Sequence, residues 1–173
     1  MSANEKFEIR GVNHLALVCK DMKRTVDFYS GILGMPLTKT IDLPNGMGQH
    51  FFFDIGKGDS LAFFWFPDAP ESQPGVTHPE AMVGKGSIVS AHASMNHIAL
   101  DVPEAKIEEY QQRLEEAGVE VTKVVNHDDS PTQARPTITD STFVRSVYFR
   151  DPDGIMLEFA SWTREMTEDD VDW

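Results

Sequence analysis

A single cysteine, Cys19, stands in a chain of 173 residues. No internal disulfide can form, so the fold must rest on a buried apolar core. Basic residues are also scarce: 15 Lys and Arg face 28 Asp and Glu, for a formal charge of −13. That balance excludes a nucleic-acid footprint and an anionic membrane surface, because both need a basic face. Long apolar runs are missing too, and none approaches the ~20 residues that span a bilayer. The opening MSANEKFEIR has no apolar signal-peptide core. The expectation is a cytoplasmic protein with a small-molecule partner and neither nucleic acid nor membrane.

What is present is repetition. Asn13–Leu17 reads NHLAL and Asn96–Leu100 reads NHIAL. Each is followed by a helical pattern and a glycine. Met22, Val26, Tyr29 and Leu33 recur at helical spacing before Gly34, with Asp21 as N-cap. Ile107, Tyr110, Leu114 and Ala117 do the same before Gly118. Three strand-like stretches then follow each helix: MPLTKTIDL, QHFFFDI and SLAFFWF in the first copy, VEVTKVV, FVRSVYF and GIMLEFASW in the second. The pattern is βαβββ, twice. The first module covers 7–66, an irregular linker 67–94, the second module 95–162 and an acidic, solvated tail 163–173. The predicted class is α+β: two tandem βαβββ modules whose mixed sheets curl around a shared metal-binding cavity. One helix covers only one face of each sheet, so the other face needs a partner.

Strand parity sorts the side chains. Leu15 and Leu17 share one face, and His14 shares the other with Ala16. His97 pairs with Ala99 in the same way. In the last strand Glu158 lies among apolar neighbours, and a buried carboxylate needs a hydrogen bond, an ion pair or a metal. Aligning Leu61 with Leu157 puts Ala62 in the place of Glu158. His14, His97 and Glu158 are therefore candidate ligands of one divalent ion, and Ala62 leaves room beside them. Imidazole with carboxylate suits Fe(II), Mn(II), Co(II), Ni(II) or Zn(II). Phe64 and Phe66 share the face of Ala62 and are expected to wall a planar substrate, while Tyr148 is expected to face the cavity as a catalytic hydroxyl. GKGD and GKGS read as turns, lacking Walker spacing. His50, His78, His92 and His127 are assigned to loops or their edges. His50 and His127 are of interest where a longer loop folds over the cavity.

These residues resemble the vicinal oxygen chelate superfamily, which includes glyoxalase I, fosfomycin-resistance proteins, bleomycin-binding proteins and type I extradiol dioxygenases. The resemblance runs from about Phe7 to Trp162 and is carried by NHLALVCKDMKRTVDFYSGILGMPL and SVYFRDPDGIMLEF. It implies paired βαβββ modules and a metal held by first and fourth strands. Glyoxalase I carries a fourth-strand carboxylate in both modules, and Ala62 departs from that. The extradiol set of two histidines and one glutamate resembles His14, His97 and Glu158. Val147, Tyr148, Asp151, Pro152, Gly154 and Glu158 follow the extradiol signature in order. Thr139, Asp140 and Ser141 stand where its histidine belongs, and Gly58 or Asp59 where its acid–base histidine does. The resemblance thus implies a small extradiol-type ring-cleaving dioxygenase acting on a catechol, with Fe(II) favoured. The alternatives are a glyoxalase-like lyase, isomerase, epimerase or glutathione transferase, and a metal-free drug-binding protein. A homodimer is compatible with all of them.

Overall fold

The computed structural model describes residues 6–171. They form two units. One comprises Glu8–Gln73 with Asp151–Ile155, and the other contains Pro74–Arg150 and the chain from Met156 onward.

The first unit begins with the alternating strand β1 (His14–Cys19). Leu15, Leu17 and Cys19 turn inward, while His14, Ala16 and Val18 are exposed. Asp21 caps the following helix as predicted, its carboxylate accepting from the Arg24 N–H at 3.0 Å. Helix α1 (Met22–Val26) widens into a π-helical turn over Asp27–Ile32. Met22 and Tyr29 of the predicted stripe are buried, while Thr25 and Phe28 take the buried places expected of Val26 and Leu33. Gly34 ends the turn at φ +71°, a conformation that favours glycine. Strands β2 (Leu37–Asp42), β3 (Gln49–Gly56) and β4 (Asp59–Trp65) follow. The sheet order is β1-β4-β3-β2, with β1 parallel to β4. Tyr29, Phe53, Leu61 and Phe63 are buried on the helix side, and the Tyr29 and Phe63 rings pack at 4.7 Å. Each such side chain contributes about 1.5–3 kcal/mol by leaving water.

The turn Asp151–Ile155 belongs to this unit. Tyr29 donates its hydroxyl to Asp151 Oδ2 at 3.2 Å, and the N–H groups of Asp153 and Ile155 bind Asp151 Oδ1. Burial pushes the Asp151 carboxyl up to about 6, with the charge of Asp153 adding to the rise and backbone N–H groups opposing it. The folded state therefore holds this proton more tightly than the unfolded chain. The resulting stability is fully present below the unfolded value near 4 and is lost as pH rises through about 6. Asp151→Asn keeps an acceptor for the turn but cannot ionise. Its unfolding free energy should gain on the parent by up to ~3 kcal/mol between about pH 4 and pH 7. Chemical denaturation across that range would reject this account if the difference between the two proteins stayed constant.

In the second unit, β5 (Ile98–Asp101) precedes α2 (Ile107–Glu116), which buries Ile107 and Leu114 and ends near Gly118 at φ +77°. Strands β6 (Val125–Asp128), β7 (Ala134–Arg135), β8 (Thr142–Arg150) and β9 (Met156–Trp162) complete a sheet of order β5-β9-β8-β6-β7. Phe149 and Phe159 pack edge to face at 4.9 Å, with Tyr110 of α2 at 5.9 Å from Phe159.

The strand predicted over VEVTKVV forms later than expected. Val121 makes only an isolated bridge to Phe149. The Thr122 hydroxyl then accepts the Tyr148 N–H at 2.9 Å, where a strand carbonyl would otherwise bind. Regular pairing resumes at Val125, so His127 lies in a strand rather than a loop. His50 likewise lies within β3. Residues 74–94 have no regular element but fold onto this sheet: Met82 packs against Tyr148 and Met156. Of the acidic tail, residues to 171 are described, and Arg164 clamps Asp170 at 2.6 and 2.9 Å. Two mixed sheets of four and five strands thus form the expected pair of βαβββ modules. Among the described residues, no helix is long and apolar enough to cross a membrane.

Candidate functional site

The register of the second sheet decides which side chains meet. Ala99 pairs with Glu158, Glu158 with Tyr148, and Ser146 with Ala160. Directly paired residues point the same way. One face therefore carries His97, Ala99, Glu158, Tyr148 and Ser146, opposite the Phe149–Phe159 core. The predicted equivalence of Ala62 and Glu158 follows from the same geometry, since Ala62 pairs with Ala16 as Glu158 pairs with Ala99.

His97 Nε2 lies 3.0 Å from Glu158 Oε2. Ser146 donates its hydroxyl to Glu158 Oε1. Glu158 is only 4% exposed. Burial works to raise its pKa, but hydrogen bonds from His97 and Ser146 outweigh that and hold the carboxyl below its ordinary range. Tyr148 is buried beside it. Burial and the Glu158 charge push the phenol well above its ordinary range, so it stays protonated. Its oxygen lies 3.0 Å from His127 Nε2. The structure thus brings together Glu158, His97 and Tyr148 in one unit, and adds Ser146 and His127.

The repeated asparagines explain part of the repeat. His97 Nδ1 lies 2.8 Å from Asn96 Oδ1, and His14 Nδ1 lies 2.8 Å from Asn13 Oδ1. An amide oxygen can only accept, so Nδ1 of each imidazole is the donor to its asparagine, and Nε2 is the nitrogen turned away from it. Asn96 Nδ2 donates to the Ile88 carbonyl at 2.8 Å, which fixes the orientation of the amide. His97 Nε2 and the Glu158 carboxylate then face each other at 3.0 Å, a contact bridged by a proton on Nε2 or, with that proton displaced, by a metal ion. The donor chemistry fits a divalent ion. Asn96→Leu removes the group that sets this orientation and should lower Mn(II) affinity ~10–100-fold. Unchanged Mn(II) affinity in a titration would show that the asparagine does not orient the ligand.

In the first unit, His14 is exposed at the start of β1 on the face of Ala16 and Ala62. Ala62 itself is fully buried. His50 pairs with Phe64 and stacks on its ring at 3.6 Å and 15°. Phe64 and Phe66 stack at 5.4 Å and 9°, and the Phe52 ring lies 4.4 Å from His50 and 5.7 Å from His14. Burial lowers the His50 pKa and its Nδ1 meets the Phe63 carbonyl at 3.2 Å, so it serves here as a neutral aromatic ring. Among the described residues, no group of three or more His, Cys, Asp or Glu side chains lies close enough to hold an ion. His97 and Glu158 come from one unit and His14 from the other.

Sequence reasoning passed over Asn13, Asn96 and Ser146. Both asparagines were visible in the repeat, directly before each histidine, and Ser146 lies one parity step from Tyr148.

The chain belongs to the Glyoxalase/Bleomycin resistance protein/Dioxygenase superfamily, whose family model matches residues 11–159. Its relatives include a metallothiol transferase, FosB, of Shouchella clausii, 26% identical over 90% of this chain and 82% of that protein. A lactoylglutathione lyase of Pseudomonas aeruginosa is 28% identical over 89% of this chain and 85% of its own. Among solved structures, a variant of the fosfomycin resistance protein FosX from Listeria monocytogenes, in complex with Mn(II) and 1S,2S-dihydroxypropylphosphonic acid, superposes with a TM-score of 0.59. It is 22% identical, covering 90% of this chain and 94% of that one, and supports the fold.

Proposed function

We propose that this protein is a metal-dependent enzyme in which His14, His97 and Glu158 hold one divalent ion, and that it carries out glyoxalase-like lyase or thiol-transfer chemistry on a small substrate with two adjacent oxygens. The observation that carries this reading is the contact between the Asn96-oriented imidazole of His97 and Glu158. A divalent ion bound there would supply Lewis acidity toward the substrate oxygens. Ala62 adds no fourth protein ligand, which leaves space for substrate beside the three donors.

The protein's own residues have separate tasks. Ser146 and Asn96 hold Glu158 and His97 in orientation. Tyr148, kept neutral, donates a hydrogen bond to an oxygen on which negative charge develops. Phe64, Phe66 and Ala62 form an apolar wall for the organic part of the substrate. The names of the transferase and lyase relatives support this choice of reaction class.

Ring cleavage of a catechol with Fe(II) is the second reading, favoured by the order of Val147, Tyr148, Asp151, Pro152 and Gly154 before Glu158. The test loads the purified protein separately with Mn(II), Zn(II) and anaerobic Fe(II). Each form is offered thiol adducts of small electrophiles, then catechols with oxygen. Turnover of a thiol adduct without oxygen uptake supports the first reading. Oxygen uptake with a catechol transfers the case to the second, and tight binding of an aromatic drug by metal-free protein that turns over nothing transfers it to a sequestering role. Sedimentation tests the homodimer.

A further inference from the structure

His127 has no assigned task in the account above, yet it makes the only hydrogen bond to a side chain that fixes the far side of the Tyr148 hydroxyl among the described residues. The β6–β8 register pairs Val125 with Ser146 and His127 with Val144. His127 therefore shares the face of Ser146, Tyr148 and Glu158. Its ring meets the Tyr148 ring edge to face, at 6.1 Å and 87°. This placement depends on the late start of β6: the Thr122 hydroxyl takes up the Tyr148 N–H, and the strand begins where His127 falls beside the phenol.

Resting on the metal-site reading, we propose that His127 is the positioning residue of Tyr148, donating from Nε2 to the phenolic oxygen so that the hydroxyl proton points toward the His97–Glu158 pair. The phenol has one proton to give. Glu158 pairs with Tyr148 across the β8–β9 ladder and Ser146 shares their face, and a carboxylate accepts only. The proton therefore goes toward Glu158, and the His127 contact requires the proton to be on Nε2. The apolar residues packed with Tyr148 are Met82, Val83, Val125 and Met156, and the His97 ring meets it edge to face at 5.9 Å. When Glu158 turns to an ion, the phenolic proton is left for a substrate oxygen. The His127 bond then keeps the hydroxyl from rotating away. Nothing in the sequence alone marks this pair, because the two residues lie on adjacent strands and meet only through the β6–β8 register.

The test begins with metal-free protein. Long-range proton–nitrogen NMR spectra should show His127 as the Nε2–H tautomer, and Tyr148→Phe should shift its Nε2 resonance. A role in packing alone would not set the tautomer. Mn(II) titration should then give affinities within about twofold for the parent, His127→Ala and His127→Gln, against the ~10–100-fold loss expected for a group that orients a ligand. An Nδ1–H tautomer, or an Nε2 resonance indifferent to Tyr148→Phe, overturns the proposal. So does a loss of Mn(II) in His127→Ala as large as in Glu158→Ala, since His127 would then be a ligand. If the parent binds no Mn(II) while the tautomer and the Tyr148→Phe shift appear as stated, the positioning role stands and the metal reading falls.

Discussion

Glu158→Ala should lose its divalent ion, with affinity falling by more than the ~10–100-fold that loss of an outer partner costs. The carboxylate is the one anionic donor of the set, and it lies nearly buried between His97 and Ser146. Truncation removes the negative charge that offsets the dehydration of the ion. It also leaves the Ser146 hydroxyl without its acceptor, at a cost of roughly 1–3 kcal/mol in stability. Glu158→Gln separates the two effects. It keeps the volume and an acceptor for Ser146 but removes the charge, so it should fold normally and still bind metal poorly. Isothermal titration with Mn(II) reads the affinities and thermal unfolding reads the fold. Parental Mn(II) affinity in a well-folded Glu158→Gln would remove Glu158 from the ligand set.

Tyr148→Phe should show the opposite pattern: metal content unchanged and turnover lowered by ~10²–10³, the range for loss of one donor to a developing negative charge. In the proposed site the phenol is not one of the three ligands. Its oxygen lies 3.0 Å from His127 Nε2, and burial together with the Glu158 charge keeps it protonated. The loss should fall on kcat rather than KM, because a hydrogen bond that strengthens as charge develops stabilises the transition state more than the bound substrate. Single-turnover measurements on the substrate found in the screen would read it. Equal turnover in the two proteins would assign Tyr148 to the wall of the site and end its catalytic role.

Much of this arrangement was legible in the sequence. The period-two alternation along β1 put His14 on the face opposite Leu15 and Leu17, and the exposure along the strand follows it. The matching of Ala62 with Glu158 needed only the second repeat as an internal ruler. Local capping was readable too, since Asp21 and the two glycines act within one turn of chain.

What escaped depends on contacts made at a distance. The π-helical turn after α1 is an extra residue accommodated by the buried faces of Phe28 and Tyr29. The start of β6 depends on Thr122 binding Tyr148, residues 26 positions apart. A propensity reading favours the β-branched run of VEVTKVV, and the tertiary hydrogen bond overrides it. His127 was assigned to a loop edge for the same reason. The folding of residues 74–94 onto the second sheet was hidden by their proline- and glycine-rich composition, although Met82 and the Ile88 carbonyl anchor them to Tyr148 and Asn96.

The central claim is that the oriented imidazole of His97 and the Glu158 carboxylate bind a divalent ion together with His14. Protein purified without chelator, then dialysed against Mn(II) and analysed for bound metal, tests it most directly. The account predicts one ion per chain in the parent and a loss of that ion in each of His14→Ala, His97→Ala and Glu158→Gln while the proteins remain folded. A parent that binds no ion, or three variants that retain it as the parent does, would contradict it.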